Sequence, residues 1–254
     1  MLHHERVTAP DAAPDRWFFV LHGVFGSSAN WRLFTRNLAE ARPELGFVLV
    51  DLRGHGRSPS MDAPHTLDAA AADVEALVRQ LGCDGVLGHS LGGKVALFMH
   101  DVEELWLLDS QPGAYEEPSP TMNVLRLLES LPESFDTRET FIAAIERGGE
   151  SRTVARWLAM SVRRGADGRY RLFLDLAVIR SLLEDHMRRD GWPELERHPR
   201  AHVVVAGRSF VWQPGDEERL AALPHATVHR IEDAGHWLHV DAPDALRSLL
   251  VAQL

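Results

Sequence analysis

Gly85-Val86-Leu87-Gly88-His89-Ser90-Leu91-Gly92-Gly93-Lys94 is the stretch whose reading decides the fold. Its first three residues predict a short buried strand, and Lys94 to His100 predict a helix. Between them lies a Gly-x-Ser-x-Gly pentapeptide. A serine there sits on a sharp, strained turn that lifts its hydroxyl clear of the sheet. Gly88 and Gly92 lack side chains because neighbouring backbone comes too close. The bare pentapeptide arises by chance in roughly one chain in ten of this length. With a strand before it and a helix after it, it reads as a nucleophile elbow, with Ser90 as the nucleophile.

On both sides of the elbow, apolar runs of about five residues alternate with helical patterns. The runs are Trp17–Leu21, Phe47–Val50, Gly85–Leu87, Leu105–Leu108, His202–Ala206 and Thr227–Ile231. Runs apolar almost throughout suit strands covered on both faces of a parallel sheet. Helical spacing marks Trp31, Phe34 and Leu38 on one face, and Leu67, Val74, Leu77, Val78 and Leu81 on another. The last helix is expected near Asp241, with Pro243 in its first turn. This alternation predicts a doubly wound α/β fold. Residues 113–200 break the rhythm. Asp136 with Glu139 reads as a capping box opening a helix through Ile145, and Ser151 to Arg164 and Asp175 to Arg189 read as further helices. Gly165 to Gly168 is a turn, and Tyr170 to Leu174 is ambiguous. This segment holds 14 arginines and 15 acidic residues, so it is nearly neutral and reads as an insertion lying over the sheet.

The 254 residues are enough for one large domain, and a net charge of −10 argues against a nucleic-acid coat, which needs a basic face. One cysteine, Cys83, excludes an intramolecular disulfide and a cysteine-based structural zinc site. No apolar run approaches membrane-spanning length, and Met1 to Arg16 lacks a signal-like apolar core, so the cytoplasm is the expected location. Lys94 is the only lysine among 27 basic residues.

A serine hydroxyl is a poor nucleophile without a base. His236 follows the last strand on a short loop, at the sheet edge where Ser90 emerges, and is the expected base. His239, three residues on, is expected to face elsewhere. Reading the two as a metal pair needs a third ligand that the sequence does not offer. Two backbone N–H groups must meet the developing alkoxide. Leu91 supplies one. The loop His22-Gly23-Val24-Phe25-Gly26-Ser27 after the first parallel strand supplies the other, with Val24 ahead of Phe25. Phe25 and Trp237 are expected to contact substrate.

These residues resemble the α/β-hydrolase fold superfamily. The resemblance rests on His22-Gly23, Asp51 to Ser58, Gly88 to Lys94 and Gly235-His236-Trp237. His22 to Ser27 with Asn30-Trp31, Lys94 after the elbow, and Gly235 to His239 narrow it. They resemble the bacterial YbfF esterase group and the related abhydrolase-domain-containing 11 proteins. The resemblance implies a Ser–His–acid hydrolase of carboxylic esters or acyl thioesters with an acyl-enzyme intermediate. It implies neither cofactor nor metal, a small-molecule substrate, and no nucleic-acid or membrane partner. It also implies a mostly parallel sheet built from residues 1–112 and 201–254, with 113–200 as a helical cap inserted before the penultimate strand. Oligomeric state is not implied.

The acid departs from the common pattern. Most members of the superfamily carry it just after the penultimate strand, but Gly207-Arg208-Ser209-Phe210-Val211 holds no carboxylate before Asp216. Asp109, at the end of the strand before the insertion, keeps the order Ser, Asp, His and is the first candidate. Asp216 is the second, followed by Glu232, Asp233 or no acid. Different chemistry on the same site (carbon–carbon hydrolysis, perhydrolysis, acyl transfer) or a silent binding protein are the alternatives. Cys83 reads as core, His3 and His4 as solvated, and Asp51 to Ser58 as a loop fixed by internal hydrogen bonds. Met122, Leu125, Phe141, Trp157, Met160, Leu182 and Met187 could contact an acyl chain, but most read as the insertion's own core or its seat on the sheet. Arg163, Arg164, Arg188 and Arg189 read as a solvated face rather than an acyl-CoA phosphate site.

Overall fold

The computed structural model describes residues 1–100, 102–115 and 120–254. Each apolar run of the sequence becomes a strand: β2 (Arg16–Leu21), β3 (Leu45–Val50), β4 (Gly85–His89), β5 (Leu105–Leu108), β8 (Ala201–Ala206) and β9 (Ala226–Ile231). They pair in parallel. An edge strand absent from the sequence reading, β1 (His4–Val7), runs antiparallel to β3 and completes the order β1-β3-β2-β4-β5-β8-β9. His4 therefore belongs to the sheet, and the His3 N–H donates to Ser58 Oγ at 2.8 Å. Both had been expected to be merely solvated. With alternating polar residues and few apolar ones, His-Glu-Arg-Val carries too weak a pattern to announce a strand on its own.

Alternate side chains of the central strands feed two cores. Phe19, Leu21, Val48 and Val86 face α2 (Leu67–Leu81) and α3 (Leu91–Leu97). Phe18, Val20, Phe47 and Leu49 face α1 (Arg32–Ala41) and α11 (Pro243–Gln253). Thr66 opens α2 by accepting the Ala69 N–H at 3.2 Å, satisfying one of the donors a helix start leaves free. A short helix, α10 (Leu238–Asp241), leads into α11. The sheet is covered on both faces, as near-continuous apolar strands require.

Between β5 and β8 lie α4 (Pro120–Glu129), α5 (Arg138–Arg147), α6 (Arg152–Leu158), β6 (Val162–Arg164), β7 (Tyr170–Leu172), α7 (Leu176–Arg188) and α8 (Trp192–Arg197). Met122, Leu125, Phe141, Leu158 and Met187 form a third core there. Leu182, Trp192 and Leu195 pack instead with the sheet and α3, and Met160 is exposed. Two local readings are corrected. The helix expected over 151–164 stops at Leu158; a 3-10 turn follows, and Val162–Arg164 pairs antiparallel with Tyr170–Leu172 around the Gly165–Gly168 turn. A hairpin partner beyond the helix window removed those residues from it. The cap of α5 is Thr137, whose Oγ1 accepts the Thr140 N–H, while Asp136 pairs with Arg169. α9 (Asp216–Ala221) lies between β8 and β9.

Candidate active site

The elbow between β4 and α3 places Ser90 at φ 52° and ψ −120°, a conformation that costs a non-glycine residue energy. The surrounding sterics enforce it. A Cβ on Gly88 would stand 2.4 Å from the Gly92 carbonyl oxygen, and one on Gly92 would stand 2.5 Å from those of Leu21 and His22. Ser110 Oγ braces the turn by donating to the Ser90 carbonyl at 2.7 Å.

His236 lies in the loop between β9 and α10, with its Nε2 3.1 Å from Ser90 Oγ and its Nδ1 2.7 Å from Asp109 Oδ2. A carboxylate only accepts, so Nδ1 carries the ring proton and Nε2 is left to accept the serine O–H. Asp109 directly follows β5, is fully buried, and holds a left-handed φ of 46°. Besides His236, three donors converge on it. Trp212 Nε1 and the Ala206 N–H reach Oδ1 at 2.7 and 3.1 Å, and Ser209 Oγ reaches Oδ2 at 2.5 Å. The loop after β8, which lacks a carboxylate, thus supplies donors to one carried by the neighbouring strand. Trp212 and Ser209 escaped the sequence reading. The polar residues in that carboxylate-free loop were the available signal.

Two of the other candidate acids are engaged elsewhere: Asp216 Oδ2 accepts the Gln213 N–H at 2.8 Å, and Glu232 pairs with Arg230. His239 does not reach Ser90; its ring stacks on Trp31 at 4.1 Å, although it lines the same cavity. Both ring nitrogens of His236 are committed to Asp109 and Ser90, which leaves none for a metal shared with His239.

The loop after β2 is fixed by buried neutral histidines. The Phe25 N–H donates to His55 Nε2 at 3.2 Å, and His55 Nδ1 donates to the Arg53 carbonyl at 2.9 Å. His22 donates from Nδ1 to the Gly23 carbonyl and accepts the Leu52 N–H on Nε2. Burial pushes His55 down to about 3 and lowers His22, so both act as fixed dipoles. His55 thereby takes up the Phe25 amide. His89, inside the elbow motif, donates from Nε2 to the His236 carbonyl at 2.7 Å. Burial, then His236 and His239, push its basicity well below the ordinary range. Asp51 accepts from the Ser28 and Arg57 N–H groups, and Ser58 Oγ donates to the Asp51 carbonyl, so this loop is internally fixed.

Ser90 opens into a cavity of about 620 Å³ between the sheet edge and the insertion. Val24, Phe25, Leu91, Trp157 and Trp237 all line it. The Phe25 and Trp157 rings meet edge to face at 6.5 Å, and Trp157 and Trp237 lie 5.5 Å apart. Such an arrangement can transfer a serine proton to an imidazole held by a buried carboxylate, beside an apolar space for substrate.

The Alpha/beta hydrolase family model matches residues 18–249. The chain belongs to that family. Its curated relatives include the sn-1-specific diacylglycerol lipase ABHD11 of Danio rerio, 28% identical over 247 residues and covering 91% of this chain and 76% of the relative. They also include Esterase YbfF of Escherichia coli (strain K12), 27% identical over 237 residues, covering 89% and 88%. Among solved structures, a marine microorganism esterase shares the fold at a TM-score of 0.85, with 24% identity over 100% of this chain and 99% of its own. The esterase and lipase relatives support hydrolase activity in this α/β hydrolase. Among the described residues, no helix is long and apolar enough to cross a membrane.

Cys83 Sγ donates to the Gly85 carbonyl, and burial pushes its thiol up to about 12, against a reactive role. The insertion's arginines have local partners. Arg163 covers the Phe173 ring, Arg164 donates to the Gly168 carbonyl, Arg188 lies 3.8 Å from Asp185, and Arg189 pairs with Asp68.

Proposed function

We propose that this α/β hydrolase is a serine esterase or thioesterase that works through an acyl-enzyme on Ser90. The observation that carries the reading is the relay from Ser90 Oγ through His236 to buried Asp109, opening on an apolar cavity. Ser90 attacks the acyl carbonyl as His236 Nε2 takes its proton, and Asp109 holds the ring's tautomer and stabilises the imidazolium. The N–H groups of Leu91 and Val24 receive the oxyanion. His236 returns the proton to the leaving alcohol or thiol. It then takes one from water, which cleaves the acyl-serine and frees the acid. Residues 113–200 serve as a helical cap that closes the cavity over a small-molecule substrate; residues 116–119 of it lie outside the described part. The curated relatives named esterase and lipase support this substrate class.

The test is fluorophosphonate labelling with the modified peptide mapped by mass spectrometry. Ser90 is expected to label, and His236→Ala to abolish both labelling and turnover of p-nitrophenyl esters. Unaltered turnover in Ser90→Ala would sink the reading. A second reading, transfer of the acyl group to an alcohol, is favoured by one relative, a probable alcohol acetyltransferase of Saccharomyces cerevisiae, 26% identical over 93% of this chain. Ester products formed in preference to free acid at low alcohol concentration would select it.

A further inference from the structure

The cavity wall is not uniformly apolar. His186, on α7, lines it while only 7% exposed. Its Nδ1 is fully buried with no hydrogen-bond partner among the described residues. Tyr115 lines the same wall and stacks on the His186 ring at 5.2 Å. Leu183 and Met187, one turn away or less along α7, are apolar neighbours in the lining. Among the described residues nothing offsets the cost of that unpaired nitrogen, and the ring's place in the cavity wall points to a ligand.

The backbone beneath this ring is held rigidly. Lys94 Nζ, wholly buried, donates to the His186 carbonyl and to the Gly113 carbonyl, each at 2.6 Å. It also sits 5.3 Å from the Tyr115 ring centroid. Burial lowers the basicity of the His186 ring well below the ordinary range, and the neighbouring Lys94 charge lowers it further. Burial pushes the Tyr115 phenol above its ordinary value, so the hydroxyl keeps its proton. The cavity wall therefore holds a neutral imidazole beside a neutral phenol. A carboxylate would need a charged partner to be buried here, and Lys94 does not line the cavity. A neutral oxygen needs none.

We propose that His186 and Tyr115 form a polar subsite that selects esters carrying a neutral oxygen, a ketone or hydroxyl, along the chain remote from the scissile carbonyl. This inference rests on the esterase reading above. The oxygen accepts a hydrogen bond from the His186 ring or the Tyr115 hydroxyl, while Leu183 and Met187 pack the chain's methylenes. A plain alkyl chain leaves both polar groups unpaired and buried, which is the circumstance in which a site discriminates strongly between substrates. The same oxygen can belong to the acyl or to the alcohol part of the ester.

The test uses matched pairs. p-Nitrophenyl heptanoate is compared with its 4-, 5- and 6-oxo analogues, and heptyl butyrate with its 4-, 5- and 6-oxo analogues, each read as kcat/KM. At least one oxo ester is expected to exceed its alkyl parent by about 10-fold. The series in which this occurs assigns the subsite to the acyl or the alcohol side. His186→Leu is expected to collapse that ratio towards one, and Tyr115→Phe, which removes a single oxygen, to lower it several-fold. Wild-type protein that turns over every alkyl ester as fast as its oxo partners would overturn the subsite, as would a ratio that neither substitution moves. Failure of the esterase reading looks different: Ser90 does not label and no ester of either kind is cleaved.

Discussion

At the residue scale, the contacts of the candidate site converge on Asp109. Asp109 is buried, left-handed, and met by four donors, including His236 Nδ1. Asp109→Asn presents an amide where donors converge and leaves the wrong tautomer on His236. It is expected to lower kcat by about 10³–10⁴-fold, with folding checked by circular dichroism. Asp216→Asn, which alters only the contact with the Gln213 N–H, is expected to leave kcat within about three-fold, because the contact is local. Steady-state kinetics on one p-nitrophenyl ester measures both. Equal losses in the two variants would return Asp216 to candidacy.

At the scale of elements, the insertion is fastened to α3, the helix that follows Ser90. Lys94 lies one turn into α3, and its ammonium ties together Gly113, at the start of the insertion, and His186, in the last turn of α7. The last carbonyls of a helix lack intrahelical partners, so Lys94 caps α7 from outside. Burial pushes this lysine down to about 7, which is the cost the two carbonyl bonds offset. Lys94→Ala is expected to lose about 2–4 kcal/mol, from two orphaned carbonyls and the space left behind. Thermal melting measures this, and limited proteolysis is expected to cut earlier within residues 113–200. An unchanged melting temperature would refute the fastening role. The hairpin β6–β7 belongs to the same scale. Val162 to Arg164 read as a helix tail because their pairing partner lies on the far side of the Gly165–Gly168 turn.

At the scale of the whole molecule, the histidines make stability depend on pH. His55 is pushed down by burial to about 3, and His239 by burial and then His236 to about 4, from an ordinary 6.5. His22, His89 and His186 are lowered as well, chiefly by burial. These rings stay neutral in the folded protein, whereas the unfolded chain takes up their protons below 6.5. The stabilising difference is therefore complete above 6.5 and is lost as the pH falls towards 4. The loss is about 1.4 kcal/mol per pH unit for a ring as buried as His55. The urea midpoint is expected to be clearly lower at pH 5 than at pH 7, with an unchanged slope. Equal midpoints would contradict the neutral, buried state of these rings.

The sequence by itself determined the parallel sheet, the elbow at Ser90 and the position of His236, because each rests on local chemistry. Continuous apolar runs exclude solvent on both faces, glycines flank a turn that admits no Cβ, and a histidine follows the last strand. The antiparallel edge β1 and the hairpin β6–β7 were not legible, because short half-polar strands are defined by their partners rather than by their own pattern. Only the tertiary structure brings one of the candidate acids to His236. Asp109 and His236 stand 127 residues apart in the chain, and their meeting depends on β5, β8 and β9 lying side by side. The loop after β8 then aims Ser209 and Trp212 at the carboxylate it does not itself carry. The polar pair His186 and Tyr115 was hidden for the same reason: α7 and the chain after β5 bring them to one wall only when the insertion folds over the sheet.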